Sequence, residues 1–527
     1  LLSKDNPDVN KRYNMSANVY AEISIPWVEG LSYRVNLAND WVITNRYNFD
    51  PYSNNLQGTA TKNYGNLQEM QLDNILTYKH EFGKHSINAT LVYGVEKREY
   101  ESTSTTAMTF TDMSLGYNNM GLAQQDLNVI GSSAWSESSL YSMARLVYSY
   151  ADRYIFTGTI RRDGFSGFGE NNKFGYFPSA AVAWRLSEEN FIKDNVDWLD
   201  NLKLRASWGK LGNDQISDFM YVQGVALSSN PVVVIDGKPL QGLSTTSVPN
   251  REITWETTTT WNIGGEISLW NGLIGLQADV FYKLTTGILQ SQSGQLPPSI
   301  GGNYPAIING GVVDVRGTEI VLTHRNKAGE FYYDFSANMS YAANRYISTN
   351  DSENIPTWQS RLGTPLGSVL GYVSDGLYRD EDDLLSSPKT SDAVRVGDIK
   401  YKDLNGDGRI TLEDRTWIAG PQLPKMMFGA NLTAGWRQFD LNMTLQGAAL
   451  TDIMLCGTYS ALGYSDGTYF TQAFKWGSNP PKYLVEGSWR PDHTDAQYPR
   501  LSTQTSSNNA VASDFWKRDA SYLRLKN

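Results

Sequence analysis

The segment 403–414 reads DLNGDGRITLED and carries oxygen-bearing side chains at alternate positions around two glycines. A twelve-residue loop of the EF type binds calcium through positions 1, 3, 5, 7, 9 and 12, with a glycine at position 6. Gly408 stands at position 6, and the ligand positions fall on Asp403, Asn405, Asp407, the carbonyl group of Arg409, Thr411 and Asp414. The spacing predicts one bound Ca2+ ion. The departure is Asp414, which is shorter than the glutamate that usually ends such a loop.

Two other interpretations fit the same letters. Asn–Gly–Asp–Gly also forms tight turns without any ion. A calcium switch would need a pair of flanking helices that the ion could open, and no helix pattern flanks this segment. We therefore expect a structural ion that neutralises mutually repelling carboxylates and fixes an external loop.

No arrangement of residues predicts catalysis. The segment GYSDG at 463–467 matches a nucleophile-elbow pattern, but that motif requires a buried strand before it and a helix after it. His493 and Asp495 follow it in the wrong chain order for a triad on that pattern. Neighbouring carboxylates such as Asp382 and Asp383 do not define the gap of roughly 5–10 Å that glycoside hydrolysis needs. The sequence therefore predicts a protein that is not an enzyme.

Composition excludes several other classes of protein. The net charge of −10 argues against a nucleic-acid partner. A single cysteine, Cys456, excludes an intrachain disulfide, and with four scattered histidines a Cys/His zinc site is not expected. No run of about 18 apolar residues predicts a transmembrane helix, and the first residues do not have the pattern of a signal peptide.

Alternation of apolar and polar residues is the strongest structural signal. In EFYYDFSANMSYA (330–342), every second residue is apolar, and the residues between them are mostly polar. FDLNMTLQG (439–447) and LIGLQADVFYK (273–283) repeat this pattern. Such segments predict strands with one apolar and one polar face. Their length of about 9–12 residues exceeds the usual 5–6 and suits a tilted strand that crosses a bilayer.

The connections between these segments alternate in length. Short turns are predicted at 28–32, 81–86, 150–154, 270–274, 326–330 and 436–440, and long polar stretches at 45–69, 101–135, 211–257, 287–314, 343–423 and 449–512. A transmembrane barrel has short periplasmic turns and long extracellular loops. We therefore predict an all-β fold, a transmembrane antiparallel β-barrel with about 14–16 strands in this chain.

Four long stretches carry family motifs: RRDGFSGFGENNKFGYFPSAAVAWRLSEENF (161–191), WETTTTWNIGGEISLWNGLIGLQADVFYKLTTGIL (255–289), LGTPLGSVLGYVSDGLYRDEDD (362–383) and GDIKYKDLNGDGRITLEDRTWIAGPQLPKMMFGANLTAGWRQFDL (397–441). They occur in family order, and they resemble the SusC/RagA family of TonB-linked outer-membrane nutrient importers. The resemblance implies a 22-stranded barrel in the outer membrane of a Bacteroidota-type bacterium. Residues 1–527 would then be part of that barrel domain, without the plug and the final strands.

The resemblance also implies partners and cargo. Family members import oligosaccharides or oligopeptides, take energy from TonB through an N-terminal part that this chain lacks, and work under a SusD-like surface lipoprotein. Dimers of such importer–lipoprotein pairs would also be expected. Two alternatives stay open on the strand pattern alone: a secreted soluble glycan-binding β-protein, and a lid-less siderophore or cobalamin receptor of the same barrel type.

Aromatic residues fall into two groups. Trp27, Trp41, Trp270 and Trp436 lie near strand ends and are predicted to form girdles at the membrane interfaces. Aromatic residues in long loops are candidates for stacking on substrate, and these are Trp358, Tyr372, Tyr459, Tyr464 and Trp476. Loop packing or contact with the lipoprotein would account for the second group equally well.

Overall fold

The structure is a computed structural model that describes residues 8–216, 220–236, 238–245, 248–292, 307–352, 354–455, 482–501 and 508–527. Its strands are β1 Asp8–Ser24, β2 Leu31–Asp50, β3 Thr59–Phe82, β4 His85–Met108, β5 Val129–Tyr150, β6 Tyr154–Phe165, β7 Phe174–Arg185, β8 Leu199–Asn213, β9 Val225–Ile235, β10 Lys238–Thr245, β11 Glu256–Leu269, β12 Ile274–Ser291, β13 Ile307–Ala328, β14 Phe331–Ser348, β15 Val369–Tyr372, β16 Ser374–Leu377, β17 Ile399–Tyr401, β18 Arg415–Ala419, β19 Met426–Trp436, β20 Phe439–Ala449, β21 Asp452–Met454, β22 Lys517–Asp519 and β23 Tyr522–Leu525.

Within the described ranges, fifteen of these strands form one large antiparallel sheet. Its order is β1-β2-β3-β4-β5-β6-β7-β8-β11-β12-β13-β14-β19-β20-β23. The other described strands pair two by two, as β9 with β10, β15 with β18, β16 with β17 and β21 with β22. The prediction of about 14–16 long antiparallel strands is confirmed.

Helices are few and short. They are α1 Ser53–Leu56, α2 Asn190–Lys193, α3 Glu381–Ser386 and α4 Lys482–Glu486, with 3-10 turns at Gly116–Leu122, Gln125–Leu127, Glu170–Asn172, Leu186–Glu188, Thr357–Gln359, Leu412–Asp414 and Asp514–Trp516. Glu189 occupies the N-cap position of α2 and makes no side-chain cap. In the described part of the chain, no helix is long and apolar enough to cross a membrane.

The chain divides into two compact units. The first comprises Leu1–Trp184 and Ser207–Thr257, and the second comprises Arg185–Ala206 and Thr258–Asn527. In each unit, consecutive long strands are joined by short turns at one end. All six predicted short turns connect neighbouring antiparallel strands.

In the first unit, strand register aligns apolar side chains in rows across the sheet. One row runs through β1 to β5 and consists of Val19, Leu37, Leu72, Val95 and Leu140. The first four of these side chains are exposed. The alternate residues on the same strands are largely polar or charged, as in Glu96 and Arg98 of β4. The period-two pattern therefore produces an exposed apolar face and an opposite polar face.

The extents predicted for two long connections are wrong. The stretches 45–69 and 101–135 were expected to be loops, yet only 51–58 and 109–128 lie between strands. β3 and β4 are 24 residues long each, about twice the predicted length. The outer part of β4, Glu101–Met108, is rich in serine and threonine and lacks an apolar face. Backbone hydrogen bonds extend these strands beyond the part that the apolar pattern marks.

In each unit, the well-buried clusters lie in the loops and at the ends of the strands. They do not lie against the faces of the long strands. In the first unit, Phe49, Ala60 and Ala107 at the outer ends of β2 to β4 pack against Phe110 and Ala123 of the 109–128 connection. The second unit has a larger buried cluster of loop residues. Its members are Tyr372, Leu377, Ile399, Tyr401, Ile410, Ile418, Ala419, Met454 and Trp516.

Candidate functional site

A charged cleft lies on the polar face of the first unit. It has a volume of about 790 Å³, within the range of small-ligand sites. Strands β4 to β6 place charged side chains in it, β7 adds Phe177, and segments 211–216 and Trp255 complete it. The charged and aromatic lining residues are Glu96, Arg98, Glu137, Tyr141, Arg161, Asp163, Phe165, Phe177, Asp214 and Trp255.

Tyr141 links three strands beneath this cleft. Its hydroxyl donates a hydrogen bond to the Asp73 carboxylate, and it accepts one from Nε2 of Gln71 at 2.7 Å. Between Tyr141 and Asp73 stands Gly94, and a Cβ atom there would lie 2.3 Å from the tyrosine ring. Glycine at this position therefore gives the ring room to cross β4.

Ion pairs fix two arginines of the cleft. Arg98 contacts Glu137 at 3.1 Å and Glu69 at 3.3 Å, and the Arg161 guanidinium contacts Asp163 at 2.7 Å. The guanidinium carbon of Arg161 also lies 4.6 Å from the centroid of the nearby tyrosine ring, in cation–π contact. The two arginines are thereby held as oriented donors on the cleft wall.

Two carboxylates of the cleft have no such partner. Among the described residues, the side chains of Glu96 and Asp214 make neither an ion pair nor a hydrogen bond. They are available to positively charged or hydrogen-bond-donating groups of a solute. The cleft therefore combines paired arginines with unpaired carboxylates.

An aromatic wall closes the cleft on one side. Trp255 packs against Phe168 at 5.1 Å and against Phe177 at 5.3 Å between ring centroids. Phe168 is fully buried and makes an edge contact with Phe165. An aromatic face beside fixed charges suits a polar solute that has flat apolar surfaces, such as a sugar or a peptide.

In the second unit, the loops after β14 and β20 fold together into a compact body. Ile399 and Trp516 are fully buried in it although more than a hundred residues separate them along the chain. Asp398, also buried, accepts hydrogen bonds from Nε of Arg500 and Nδ2 of Asn509, both at 2.8 Å. Buried polar groups with such partners make this loop body a defined structure and not a loose excursion.

The acidic loop 403–414 is organised by hydrogen bonds from its own backbone. Asp403 accepts from the amides of Gly406 and Gly408 at 2.7 and 2.8 Å, and the Gly408 amide above all lowers the pKa of Asp403. Asp414 is fully buried, and its two oxygens accept from the amides of Leu404, Asn405 and Thr411 and from the Thr411 hydroxyl. Thr411 and Asp414 together form a capping box on the 3-10 turn that follows.

The chemistry of this loop suits a hard cation, because its side-chain donors are oxygens and its acids lack basic partners. Among the described residues, no lysine, arginine or histidine pairs with Asp403, Asp407, Glu413 or Asp414. The amide nitrogen of Asn405 lies 3.3 Å from both Asp407 and Glu413, between two negative groups. No group of three or more His, Cys, Asp or Glu side chains in the described ranges is arranged to hold a metal. Calcium at this loop stays a prediction.

Comparison with known proteins decides the family. The family model described as TonB dependent receptor-like, beta-barrel, matches residues 3–453. The chain belongs to this family. It is 28% identical over 544 residues to TonB-dependent receptor P3 of Formosa agariphila, a match that covers 100% of this chain and 51% of that protein. It is also 28% identical over 312 residues to TonB-dependent receptor SusC of Bacteroides thetaiotaomicron, covering 57% of this chain and 30% of SusC.

Solved structures confirm the predicted fold of this TonB-dependent receptor chain. It superposes on the structure of the RagAB peptide transporter with a TM-score of 0.78, over 99% of this chain and 56% of that one, at 19% identity. The open-open state of the RagAB peptide importer gives a TM-score of 0.79 at 18% identity. The chain spans about half the length of the first curated relatives that it matches. The resemblance to the SusC/RagA family and the outer-membrane location are confirmed, and the exposed apolar face is the one that contacts lipid.

Two of the five aromatic residues predicted to contact substrate lie in the described part of the receptor. Trp358 donates its indole N–H to the carbonyl of Glu413 at 3.0 Å and so braces the acidic loop. Tyr372 is 7% exposed and lies in a tilted ring contact with Tyr401 in the loop body, and burial raises its pKa. The other three candidates, Tyr459, Tyr464 and Trp476, lie outside the described residues, as does the GYSDG segment.

The predicted girdle positions fit a membrane protein. The ring centroids of Trp270 and Trp198 are 6.0 Å apart, and those of Trp436 and Phe439 are 6.4 Å apart. Each pair lies beside a short turn. Trp41 lies ten residues after Leu31, the first residue of β2, which is about 33 Å at 3.3 Å per residue. At the roughly 40° tilt of a barrel strand, this length spans about 25 Å across the membrane, which is the height of the apolar band of such a barrel.

Sequence reasoning missed the charged cleft of the receptor. Its only signal was that the polar residues of β4 are charged, as in VEKREYE at 95–101. Which of these charges would converge depends on the register between strands, and that register cannot be read from one strand alone.

Proposed function

We propose that this chain forms wall and external loops of an active outer-membrane importer for oligosaccharides or oligopeptides. Transport would be energised through TonB, and a SusD-like lipoprotein would cover the external side. The chain contributes a polar path for the solute and performs no bond chemistry. The chain matches 51% of the length of TonB-dependent receptor P3, so the activity is proposed for a whole receptor of that kind.

The charged cleft is the observation that carries this proposal. A membrane wall needs only an apolar outside, and nothing in that role requires a cleft with oriented arginines and an aromatic wall. Arg98 and Arg161 can donate to carbonyl, carboxylate or hydroxyl oxygens, while Glu96 and Asp214 can accept from hydroxyl or ammonium groups. Sugars and peptides both present these groups, so the cleft chemistry suits either class of solute.

The two alternatives fare differently. A secreted soluble glycan-binding protein is inconsistent with the family and with the row of exposed apolar side chains across β1 to β5. A lid-less receptor for siderophores or cobalamin would belong to the same family. It would differ from the proposed importer in its cargo and in having no lipoprotein partner. The match to SusC favours the first proposal.

Uptake by the full-length receptor tests the proposal. In a strain that lacks the gene, restoring the receptor should restore uptake of labelled oligosaccharides or oligopeptides, and the receptor should co-purify with a surface lipoprotein. Glu96→Gln with Asp214→Asn should weaken uptake by roughly tenfold, because the amide oxygens still accept hydrogen bonds from the solute but no longer carry a charge. Glu101→Gln is the matched control, since this exposed residue lies on the same strand outside the cleft.

Three outcomes would contradict the proposal. One is that deleting the gene leaves the uptake of both solute classes unchanged. Another is that the deletion abolishes only the uptake of a ferric siderophore. A receptor that purifies without any lipoprotein would remove the proposed lid.

We also propose that loop 403–414 holds one structural calcium ion. Asp403, Asn405 and Asp407 would supply side-chain oxygens and Arg409 its carbonyl, and the ion would offset the unpaired acidic charge of the loop. Both oxygens of Asp414 already accept two hydrogen bonds each. Asp414 would have to give up one of these hydrogen bonds to bind the ion. The main role of Asp414 is therefore to shape the loop.

A further inference from the structure

Two histidine–tyrosine pairs lie at the short-turn ends of the sheet, one in each unit. Nδ1 of His85 lies 2.8 Å from the Tyr148 hydroxyl, and Nδ1 of His324 lies 3.0 Å from the Tyr333 hydroxyl. These two histidines are half of the four in the whole chain. Their recurrence in separate units points to a shared role.

Each pair spans a diagonal between neighbouring strands, but the two diagonals run in opposite senses relative to the turn. His85 stands opposite Tyr150, and its partner is two residues earlier, at Tyr148. His324 stands opposite Phe335, and its partner is again two residues earlier, at Tyr333. Both tyrosines are also two residues from the turn end of their strands, β5 and β14. Tyr148 therefore lies two residues farther from the turn than His85, whereas Tyr333 lies two residues nearer the turn than His324, so it is the tyrosines that share a depth.

Both pairs lie on the lipid-facing side of the sheet. His85 is in phase with the exposed Leu91 and Val95 of β4, and His324 is in phase with the exposed Leu322 of β13. Aromatic neighbours surround them at the level where lipid headgroups begin, with Phe82 stacked on His85 at 5.3 Å.

One ring nitrogen of each pair is left for a ligand. If the tyrosine hydroxyl donates to Nδ1, the histidine is the tautomer whose Nε2 carries the proton. Among the described residues, no hydrogen-bond partner lies within reach of Nε2 of His85 or His324. A polar N–H on a lipid-facing surface requires an acceptor, because leaving it unpaired in an apolar layer is costly.

One cation lies beside the first pair. Lys84 directly precedes His85 in an exposed turn, whereas the exposed Lys327, three residues after His324, lies on the opposite face of β13. Of the acids at these turns, Glu330 is paired with Arg437, while Glu81 and Asp152 have no ion pair among the described residues. A phosphate group carries several acceptor oxygens and a negative charge, so it complements an N–H donor beside a lysine.

We propose that each histidine–tyrosine pair binds the phosphate of one phospholipid headgroup in the leaflet at the short turns. The acyl chains of that lipid run along the exposed apolar rows above the pair. This inference uses the outer-membrane location and does not depend on what the receptor imports.

Lipid retention by the full-length receptor tests the inference. The receptor is purified in detergent, incubated with phosphatidylethanolamine, and examined by native mass spectrometry for bound lipid. His85→Phe with His324→Phe keeps the ring stacking and removes the donors, and it should weaken binding by about tenfold at each pair. Tyr148→Phe and Tyr333→Phe remove only a hydroxyl and should also weaken lipid binding, which covers the case in which the histidine variant folds poorly.

His80→Phe is the matched control. His80 lies on the same rim, stacked between Tyr78 and Phe82, but among the described residues no tyrosine hydroxyl orients its ring, so it lacks the paired geometry that is proposed to hold the phosphate. It should retain lipid like the unchanged receptor. Equal lipid loss in this control, or full retention by the folded double variant, would overturn the inference. So would displacement of the lipid by inorganic phosphate alone, because that would indicate a site for free anions.

Discussion

Tyr141 on β5 reaches the Asp73 carboxylate on β3 by lying across Gly94, the residue between them on β4. Both partners are nearly buried, and Gln71 donates to the same phenol oxygen. A side chain that bridges two strands over a third ties the sheet together beneath the charged cleft. The missing side chain at position 94 is what makes this bridge sterically feasible.

Alanine at position 94 should therefore destabilise the receptor. The new Cβ would stand 2.3 Å from the Tyr141 ring, so the ring must move, and Asp73 loses the phenol donor while it keeps Gln71. Gly94→Ala should lower the free energy of unfolding by roughly 2–4 kcal/mol, from overpacking and a lost buried hydrogen bond. Gly131→Ala on β5 is the control, since a Cβ there meets nothing within 4 Å. Denaturant unfolding in detergent measures both, and equal stability of the two variants would contradict the bridge.

Two glycines with positive φ in the second unit allow the cost of backbone strain to be measured apart from the cost of a steric clash. Gly397 has φ +83°, and a Cβ there would lie 2.5 Å from the Trp489 ring. Gly376 has φ +87° but open space around it. Gly376→Ala should cost about 1–2 kcal/mol from the left-handed backbone alone, and Gly397→Ala should cost roughly 1–3 kcal/mol more. Hydrogen exchange of the loop peptides measures the difference, and similar protection in both variants would show that Trp489 yields easily.

The strands of this receptor were predictable because lipid contact leaves a regular mark on sequence. Residues 330–342 alternate since every second side chain of β14 meets lipid, and the turn at 326–330 is marked by glycine. The length of β4 was not predictable, because its outer residues 101–108 are beyond the lipid and follow no apolar period. There the hydrogen-bonded ladder, rather than the side-chain pattern, continues the strand.

The site was less predictable than the wall. Trp516 and Ile399 meet in the loop body although no periodic pattern relates them, and the cleft depends on inter-strand register. The acidic loop could be found because its ligand spacing is local. The hydrogen bonds that occupy Asp414 could not, since they depend on how the loop closes on itself.

Acid should loosen the segment around α3 through Asp383. Partial burial alone would raise the pKa of this carboxyl, but the Lys400 ammonium at 2.8 Å and the Arg379 amide at 3.1 Å hold its pKa below the ordinary 3.8. A lowered pKa in the folded state means that the stabilisation is complete above about pH 4 and is lost as the pH falls through the folded value. Lys400→Met removes the main support and should move the opening to higher pH.

Pulse-labelled hydrogen exchange of peptides from 378–401 across acidic pH measures this opening. Lys482→Met is the control, because Lys482 makes only an exposed pair with Glu486 in α4 and should leave the opening unchanged. An unchanged opening pH in Lys400→Met would show that the ion pair does not hold this segment.

Calcium should stabilise the receptor if loop 403–414 binds it. At a hundredfold excess over the dissociation constant, one ion would add about 2.7 kcal/mol to the free energy of unfolding, and a chelator would remove that gain. Asp403→Asn with Asp407→Asn should abolish the effect, while Asp382→Asn, an exposed carboxylate of α3 outside the loop, should not. Terbium luminescence gives a direct readout, because Trp358 is bonded to the Glu413 carbonyl and lies beside the loop as a donor of excitation energy. If the double variant gave the same terbium emission, or if calcium did not change the melting temperature, the loop would be an ion-free turn closed by its own amides.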